Sequence, residues 1–326
     1  MSRGLSMFGA ALCLATGPAS GGVPVPPQER SSTQWLEAIQ AAAQRTSYSG
    51  TIVYQQRDEV RSSRVFHSFD GRLSSERVQM LDGPPREVIR HGDRVECLYP
   101  QLHRIVIEKA GRKAAFPALG EGGPLGVLEH YSLRPTDVER VAGLECQVLR
   151  LEPKDALRYG YRLCIDPSSG LMMKVQVLGV DDGVIEQVAF SDVRIGDPIT
   201  AGQLRASFST IGWDVVRRES HEIEFISYGW RVTAPDGFRR LTEVERHLGI
   251  ETQRAALQAV YSDGLATVSV FIEPGAASAD AEGPASKGPI TAVVRRVGDA
   301  RVTVIGEVPQ ATARFFADSV QFVSGH

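Results

Sequence analysis

The chain has 326 residues, of which 42% are hydrophobic and 23% are charged, and its formal net charge is −3. This length suggests about two domains with enough apolar residues to bury substantial cores. Because the charge is slightly negative and no block of Lys and Arg occurs, the composition disfavours a nucleic-acid-binding protein.

The N-terminus is typical of an export signal. Arg3 precedes an apolar run over residues 5–15 that is too short to span a membrane. Small residues at 17–19 then suit a signal peptidase, so we expect a signal peptide over residues 1–21 that is cleaved after Sec export. Cys13 follows a bulky leucine where a lipobox needs a small residue, so we do not expect the chain to be lipidated.

The next region predicts one helix and then a run of short strands. Residues 33–45 carry Trp35 and Ile39 on one helical stripe, and any of the three residues at 31–33 can cap it. Turn signals such as Asp70-Gly71 separate the strands. The predicted strands are 50–56, 60–69, 73–81, 86–92, 94–100 and 103–109. Their spacing indicates an antiparallel meander.

A second antiparallel run follows a glycine-rich loop at 117–126 and a short helix that begins at Pro124. Its predicted strands cover residues 139–153, a hairpin over residues 158–178, and residues 182–196. Apolar and polar residues alternate along the hairpin, so one face of this sheet is apolar. Such a face is covered by helices or enclosed by curling of the sheet. A curled sheet whose interior is not completely filled by side chains leaves a ligand cavity.

Three cysteines lie beyond the export signal, at positions 97, 146 and 164. Cys146 and Cys164 are equidistant from Asp155, so a hairpin that turns near residues 154–156 places them opposite each other. An oxidising compartment then permits a disulfide between them. A slip of one residue in the register separates the two side chains, so two buried free thiols are the alternative.

The remaining residues predict a connection and a second, smaller domain. Residues 197–214 form the connection, and a turn at 235–237 lies near the start of the second domain. Residues 290–297 and 301–306 predict a hairpin, and a helix follows Pro309. Residues 275–289 are small and polar, which is typical of a surface loop.

Motifs for catalysis and for metal binding are incomplete. The glycines at 120–126 miss the spacing of a nucleotide-binding loop, and no strand-turn-helix unit surrounds them. Neither a G-x-S-x-G elbow nor a C-x-x-C pair occurs, and the segment at His221 supplies only half of a zinc-protease motif. We therefore expect a binding protein without enzymatic activity, cofactor or metal.

Several segments resemble the MucB/RseB family. They are SYSGTIVYQ at 47–55, RYGYRLCIDPSSGLMMKVQVL at 158–178, GW and PDGF at 229–238, YSDGLATVSVFIEP at 261–274 and VIGEVP at 304–309. The resemblance implies a β-rich α+β protein of two domains. Residues 32–196 would form a half-open antiparallel β-barrel with helices, similar to lipoprotein carriers of the LolA/LolB type. Residues 197–214 would form the linker, and residues 215–326 the smaller α+β domain.

The resemblance also implies a function. It predicts a periplasmic negative regulator of the sigma-E (AlgU) envelope-stress response that binds the periplasmic segment of a transmembrane anti-sigma factor of the RseA/MucA type. Binding would protect that segment from site-1 proteolysis, and lipopolysaccharide or another acylated lipid would relieve the protection. A homodimer is compatible with the sequence. A periplasmic lipid or lipoprotein carrier is the alternative, although a carrier needs only the first domain; an enzyme with an unrecognised site is a further rival.

Two sets of candidate contacts accompany this hypothesis. Those for the wall of a lipid cavity are Tyr161, Leu163, Ile165, Met173, Val175 and Val177. The sequence leaves open which alternating set faces inward. Those for the anti-sigma factor are Tyr261, Leu265 and Phe271, in a segment for which a purely structural role is the alternative.

Overall fold

The computed structural model describes residues 30–109, 123–248, 254–275 and 283–323. The predicted signal peptide and most of the glycine-rich loop lie outside these residues. Among the helices in the described ranges, none has the length and apolar character that crossing a membrane requires.

Helix α1 (Ser32–Arg45) begins at a capping box. The Ser31 Oγ accepts the backbone N–H of Gln34 at 3.2 Å, and the Gln34 side chain accepts the backbone N–H of Ser31 at 2.8 Å. This reciprocal pair satisfies two N–H groups at the helix start. Trp35 and Ile39 lie on the buried stripe of the helix, as predicted. A second helix, α2 (Gly123–His130), follows later in the chain.

A large sheet of twelve strands is built from the described residues. The strands are β1 (Tyr48–Gln56), β2 (Glu59–Phe69), β3 (Ser74–Met80), β4 (Glu87–His91), β5 (Arg94–Tyr99), β6 (Arg104–Lys109), β7 (Tyr131–Val141), β8 (Leu144–Pro153), β9 (Gly160–Ile165), β10 (Met172–Leu178), β11 (Val184–Ile195) and β12 (Asp214–Arg218). Their order is β12-β6-β5-β4-β3-β2-β1-β11-β10-β9-β8-β7. Every neighbouring pair is antiparallel except β12 with β6. Within the described residues the sheet is open, because β7 and β12 are its two edges.

The prediction of a mostly antiparallel sheet with few helices is therefore confirmed, whereas its likeness to lipoprotein carriers stays a prediction. The boundary between β7 and β8 differs from the expectation. The segment 139–153 was expected to be a single strand, but a turn at Ala142 and Gly143, both with positive φ, divides it between β7 and β8. Most of β7 was missed because it is an edge strand that contains Pro135 and mainly exposed polar residues.

A small sheet follows. The remaining strands are β13 (Ser220–Glu222), β14 (Trp230–Arg231), β15 (Arg239–Leu248), β16 (Arg254–Ser262), β17 (Thr267–Glu273), β18 (Gly283–Lys287), β19 (Ile290–Val297), β20 (Ala300–Glu307) and β21 (Gln321–Phe322). The small sheet has the order β13-β15-β16-β17-β20-β19-β18, and β14 pairs separately with β21. The prediction of a loop over residues 275–289 is wrong in part, because residues 283–287 form the edge strand β18. Helix α3 (Gln310–Ser319) begins directly after Pro309, as predicted, and buries Ala313 and Phe316 in the core of the small sheet.

The connection at 197–213 is held against the large sheet. Arg77 donates from Nη1 to the carbonyls of Gln203 and Arg205 at 3.1 and 2.8 Å, and the buried Glu87 accepts the backbone N–H of Ser207 at 3.0 Å. The next residues form β12, which pairs in parallel with β6. The large sheet therefore regains a strand after the connection and before the small sheet begins.

The predicted disulfide between Cys146 and Cys164 is confirmed. Both residues are buried, and their Cα atoms are 5.4 Å apart. The register pairs Cys164 directly with Val148, so the bond runs diagonally between β8 and β9. Cys97 is a free, half-buried cysteine.

Candidate functional site at the junction of the two sheets

A buried ion pair joins the two sheets. Arg158, just before β9, donates from Nε to Asp263 Oδ2 at 2.9 Å, and neither side chain is exposed to solvent. The hydroxyl of Tyr131 donates to the same oxygen at 3.0 Å. Because removing a charge from water is costly unless the charge is paired and hydrogen-bonded, this geometry holds the sheets in one arrangement.

The rest of the Arg158 guanidinium is also occupied. It donates from Nη1 to the carboxylate of Asp155 and from Nη2 to the carbonyl oxygen of Asp236. The ring centroid of Phe238 lies 5.1 Å from its Cζ atom. Arg158, which precedes a strand of the large sheet, thus contacts three residues of the segment that forms the small sheet, at positions 236, 238 and 263.

Asp263 is positioned by the turn between β16 and β17. Its Oδ1 accepts the backbone N–H groups of Leu265 and Ala266 at 2.9 and 2.8 Å, while Oδ2 faces Arg158. Gly264 adopts a φ of 100°, which favours glycine. The YSDGLA segment therefore has a physical explanation: one carboxylate oxygen closes the turn and the other anchors the sheets.

Burial favours the neutral, protonated form of the tyrosines at this junction. It raises the pKa of the Tyr131 hydroxyl above its ordinary value, and the neighbouring Tyr161 and Asp263 increase the shift. Burial likewise raises the pKa of Tyr161. Tyr131 therefore stays protonated at neutral pH and acts as a donor to Asp263.

Further contacts surround the ion pair. Thr312, in α3, donates from Oγ1 to the carbonyl of Leu157 at 2.6 Å. Lys287 pairs with Glu59 at 2.7 Å, and the exposed Arg239 lies 3.5 Å from Glu129 of α2. Because exposed ion pairs contribute little, the buried Arg158–Asp263 pair dominates the electrostatics of the junction.

An open groove of about 470 Å³ lies next to β14 and β15. Four buried aromatic residues belong to its lining: Phe225, Trp230, Phe238 and Tyr261. The half-exposed Ile226 also belongs to the lining. Polar and apolar groups share the accessible surface of the groove about equally, and its size is that of a typical ligand site.

Charged side chains lie along this groove. Arg240 Nη1 lies 2.9 Å from Glu243 Oε1 and 3.6 Å from Glu224 Oε2. The other oxygen of Glu243 accepts the backbone N–H of Phe225 at 2.8 Å. The exposed Arg231 has no ionic partner among the residues that the structure describes. The groove thus combines a surface of mixed polarity, backed by buried aromatic residues, with Arg231, which has no ionic partner among the described residues.

The groove also borders backbone groups without partners. Within the described part of the chain, the N–H and C=O groups of Val232 and Ala234 make no hydrogen bond, although Thr233 between them donates its N–H to Ser319 Oγ at 3.2 Å. Val232 and Ala234 both line the groove. Free backbone groups beside an open groove can pair with an extended peptide.

The structure separates the three predicted anti-sigma contacts. Tyr261 lines the groove, and burial near Glu243 raises the pKa of its hydroxyl to about 12. Leu265 packs instead against the core beneath α1 and α2, and Phe271 lies half-buried in β17. The sequence segment was identified, but its junction residues Asp263 and Arg158 were not singled out.

The predicted lipid-cavity residues also divide. Five lie in one core cluster with α1 and α2: Tyr161, Leu163, Ile165, Val175 and Val177. Met173 lies in another core cluster, which also contains the disulfide. The pairing of β10 with β9 is irregular between Met172 and Lys174, so Met172 rather than Met173 is the partner of Ile165. The helices cover the five side chains, so their contact with lipid stays a prediction.

The described residues contain no cluster of three or more His, Cys, Asp or Glu side chains that could hold a metal ion. The arrangement that they do show is a pair of sheets joined by a buried ion pair, with an open groove of mixed polarity beside the junction.

Comparison with known proteins places the chain in a family. Models of the MucB/RseB N-terminal domain and of the MucB/RseB C-terminal domain match residues 31–208 and 226–321. The chain is 29% identical over 303 residues to the sigma factor AlgU regulatory protein MucB of Pseudomonas aeruginosa, covering 90% of this chain and 92% of that protein. It is 24% identical over 290 residues to the sigma-E factor regulatory protein RseB of Escherichia coli K12, with coverages of 88% and 89%.

Solved structures agree with these matches. The crystal structure of MucB in complex with MucA(peri) has a TM-score of 0.71 and 28% identity, and the likeness covers 90% of this chain and 100% of that one. A crystal structure of MucB has a TM-score of 0.66 and 28% identity, with coverages of 89% and 97%. The chain described here belongs to the MucB/RseB family.

Proposed function

We propose that this protein is a periplasmic regulator that binds the periplasmic segment of a transmembrane anti-sigma factor. It protects that segment from site-1 proteolysis, and acylated lipid such as lipopolysaccharide releases it. One observation carries the proposal: nearly the whole chain is similar to MucB in its complex with MucA(peri). The curated relatives are also named as regulators of AlgU and sigma-E.

The aromatic groove is the surface that best fits an extended anti-sigma segment. The free backbone groups of Val232 and Ala234 offer hydrogen bonds to a peptide backbone. An apolar peptide side chain would contact the exposed Ile226 and the edge of Tyr261, and Arg231 would attract an acidic residue. Leu265 and Phe271 stay predictions as anti-sigma contacts. A disordered segment loses conformational freedom on docking, so we expect moderate affinity.

The lipid response depends on helix α2 in this proposal. Lipid that reaches Leu163 and Val177 must displace α1 or α2, because these helices cover the cluster. The residue that follows α2 is Tyr131, which bonds to Asp263. Displacement of α2 would therefore disturb the junction, and the groove lies beside that junction. A lipid with equal affinity for both arrangements would release nothing.

The experiment is a protection assay. The purified periplasmic segment of the cognate anti-sigma factor is incubated with its site-1 protease, with and without this protein. We expect the protein to slow cleavage and lipopolysaccharide to restore it. The Ile226→Ser/Arg231→Glu variant, altered in the groove, should protect less than an Ile305→Ser variant, altered at an exposed position of β20 outside the groove. Cleavage that a saturating amount of protein leaves unchanged would refute the proposal.

A further inference from the structure

One short stretch of the chain pairs with both sheets. Residues 214–218 form β12, which lies parallel to β6 of the large sheet, and residues 220–222 form β13, which pairs with β15 of the small sheet. A single residue, Glu219, separates the two strands. The chain therefore passes directly from one sheet to the other. We name residues 214–222 the strap.

A carboxylate of the large sheet fastens the strap to the small sheet. Glu108, near the end of β6, accepts from Nη1 of Arg218 at 2.8 Å, and the same oxygen lies 3.8 Å from Nη2 of Arg246. Arg218 belongs to the strap and Arg246 to β15, so one carboxylate contacts both. Arg246 extends the contact into the small sheet, because its Nη1 donates to the side chain of Gln258 at 3.1 Å. We name Glu108 and its two arginines the latch.

The latch and the buried ion pair of the junction lie near opposite ends of β15. Arg239, the first residue of β15, pairs with Ser262, which directly precedes Asp263 of the buried pair. Arg246 lies near the other end of the strand. Because a strand rises about 3.3 Å per residue, the two contacts are roughly 20 Å apart along β15. Opening of the latch therefore leaves the buried pair intact as a pivot.

The latch is the weaker of the two contacts. The side chains of Glu108, Arg218 and Arg246 are 33%, 26% and 27% exposed, whereas neither partner of the buried pair is exposed at all. Solvent and salt screen partly exposed charges, so the latch adds little stability. The strand that it secures is also weak, since β13 has three residues and all of them are exposed. Short exposed elements with few buried contacts open first.

The strap continues into one wall of the groove. Residues 224–226 follow β13 and line the groove. Two hydrogen bonds to one residue of β15 hold this wall: the N–H of Ile223 donates to the carbonyl of Glu243 at 3.0 Å, and the N–H of Phe225 donates to its carboxylate at 2.8 Å. The wall therefore stays in place only while this part of the chain remains paired with β15.

We propose that the strap is a conformational switch for the groove. With the latch closed, β13 lies on β15 and the wall at 224–226 is in place. With the latch open, β13 leaves β15, the small sheet turns about the buried ion pair, and the groove loses this wall. The consequence for binding rests on the proposed function, which assigns the groove to the anti-sigma segment, whereas the opening of the strap does not depend on it.

The test is hydrogen exchange of the full-length protein, followed by mass spectrometry. We expect Glu108→Gln to accelerate exchange over residues 220–226 by about two- to fivefold, because it removes a carboxylate from partly exposed ion pairs. High salt should accelerate exchange of the same residues in the unaltered protein. Glu96→Gln is the matched control, since Glu96 is 29% exposed and pairs at 2.7 Å with Arg94 of the same strand, β5. It should exchange like the unaltered protein.

A cross-link checks that these changes report opening of the strap. Glu222 and Val244 are direct partners in the register of β13 with β15, so Glu222→Cys/Val244→Cys, made together with Cys97→Ser, closes the strap by a disulfide. High salt should then no longer accelerate exchange over residues 223–226. Equal exchange in Glu108→Gln and Glu96→Gln would overturn the proposal, and so would a salt response that the cross-link leaves unchanged.

Binding of the anti-sigma segment separates the two claims. The cross-linked variant should bind at least as tightly as the unaltered protein, and Glu108→Gln should bind about two- to fivefold more weakly. Faster exchange in Glu108→Gln with unchanged binding would overturn the claim that the strap controls the groove. If no form of the protein binds the segment although exchange follows the expected pattern, the proposed function fails and the opening of the strap is supported.

Discussion

Arg158 and Asp263 form a fully buried ion pair, 2.9 Å from Nε to Oδ2, between segments that are 105 residues apart in the chain. The arginine precedes a strand of the large sheet, and the aspartate lies in a turn of the small sheet. Both belong to segments that resemble the MucB/RseB family, so this contact explains two of those segments by one physical role.

Removal of one charge from this pair should destabilise the protein strongly. Asp263→Asn keeps an oxygen for the turn but leaves the buried Arg158 guanidinium with only the partly exposed Asp155 carboxylate as a counter-ion. We expect the free energy of unfolding to fall by about 3–5 kcal/mol, measured by urea denaturation. Glu152→Gln, in an exposed pair with Arg134, is the control and should cost less than about 1 kcal/mol. Equal effects of the two variants would contradict the role of the junction.

Tyr131→Phe should weaken both the junction and its response to lipid. The variant removes the hydroxyl that donates to Asp263 at 3.0 Å, and a hydrogen bond to a charged group contributes about 1.5–3 kcal/mol. We also expect lipopolysaccharide to weaken anti-sigma binding by a smaller factor than in the unaltered protein. Tyr99→Phe is the control at a half-buried tyrosine of β5. An unchanged lipid effect in Tyr131→Phe would argue against coupling through α2.

Substitutions at the surface of the groove should weaken binding of the anti-sigma segment without destabilising the core. Ile226 and Arg231 are exposed at the groove, so Ile226→Ser/Arg231→Glu should leave the unfolding free energy nearly unchanged. The same variant should lower the affinity for the anti-sigma segment about tenfold or more, because it loses apolar contact and reverses a charge. Calorimetric titration measures the affinity of this variant and of the Ile305→Ser control for the anti-sigma segment. Binding as tight as that of Ile305→Ser would exclude the groove as the peptide site.

The disulfide should stabilise the large sheet. It closes a loop across a sequence separation of 18, for which chain entropy predicts a contribution of about 3 kcal/mol. Cys146→Ser/Cys164→Ser should lose about that amount in urea denaturation. Cys97→Ser, at the free cysteine, should change stability by less than about 1 kcal/mol. A double variant as stable as Cys97→Ser would show that the bond contributes nothing.

Local chemistry explains which features the sequence could predict. Turn signals such as Asp70-Gly71 bracket the early strands, and the equal spacing of Cys146 and Cys164 about Asp155 indicated their disulfide. Met173 lies in a different core cluster from the other cavity candidates, since one irregularity in β10 shifts the register, and its contact with lipid stays a prediction.

Local sequence patterns do not predict contacts between residues that are far apart in the chain. The pairing of Arg158 with Asp263 depends on how two sheets are placed, and no periodicity within either segment encodes that placement. The groove likewise requires three separate segments to meet, at 224–226, 230–243 and Tyr261. The sequence identified Tyr261 through its segment, but the free backbone groups of Val232 and Ala234 became visible only in the fold.

Titration of this protein with the periplasmic segment of its anti-sigma factor, with and without lipopolysaccharide, tests the central claim most directly. The account predicts saturable binding that lipopolysaccharide weakens by roughly 5- to 150-fold, the usual range of allosteric coupling. Absence of binding, or an affinity that lipopolysaccharide leaves unchanged, would contradict it.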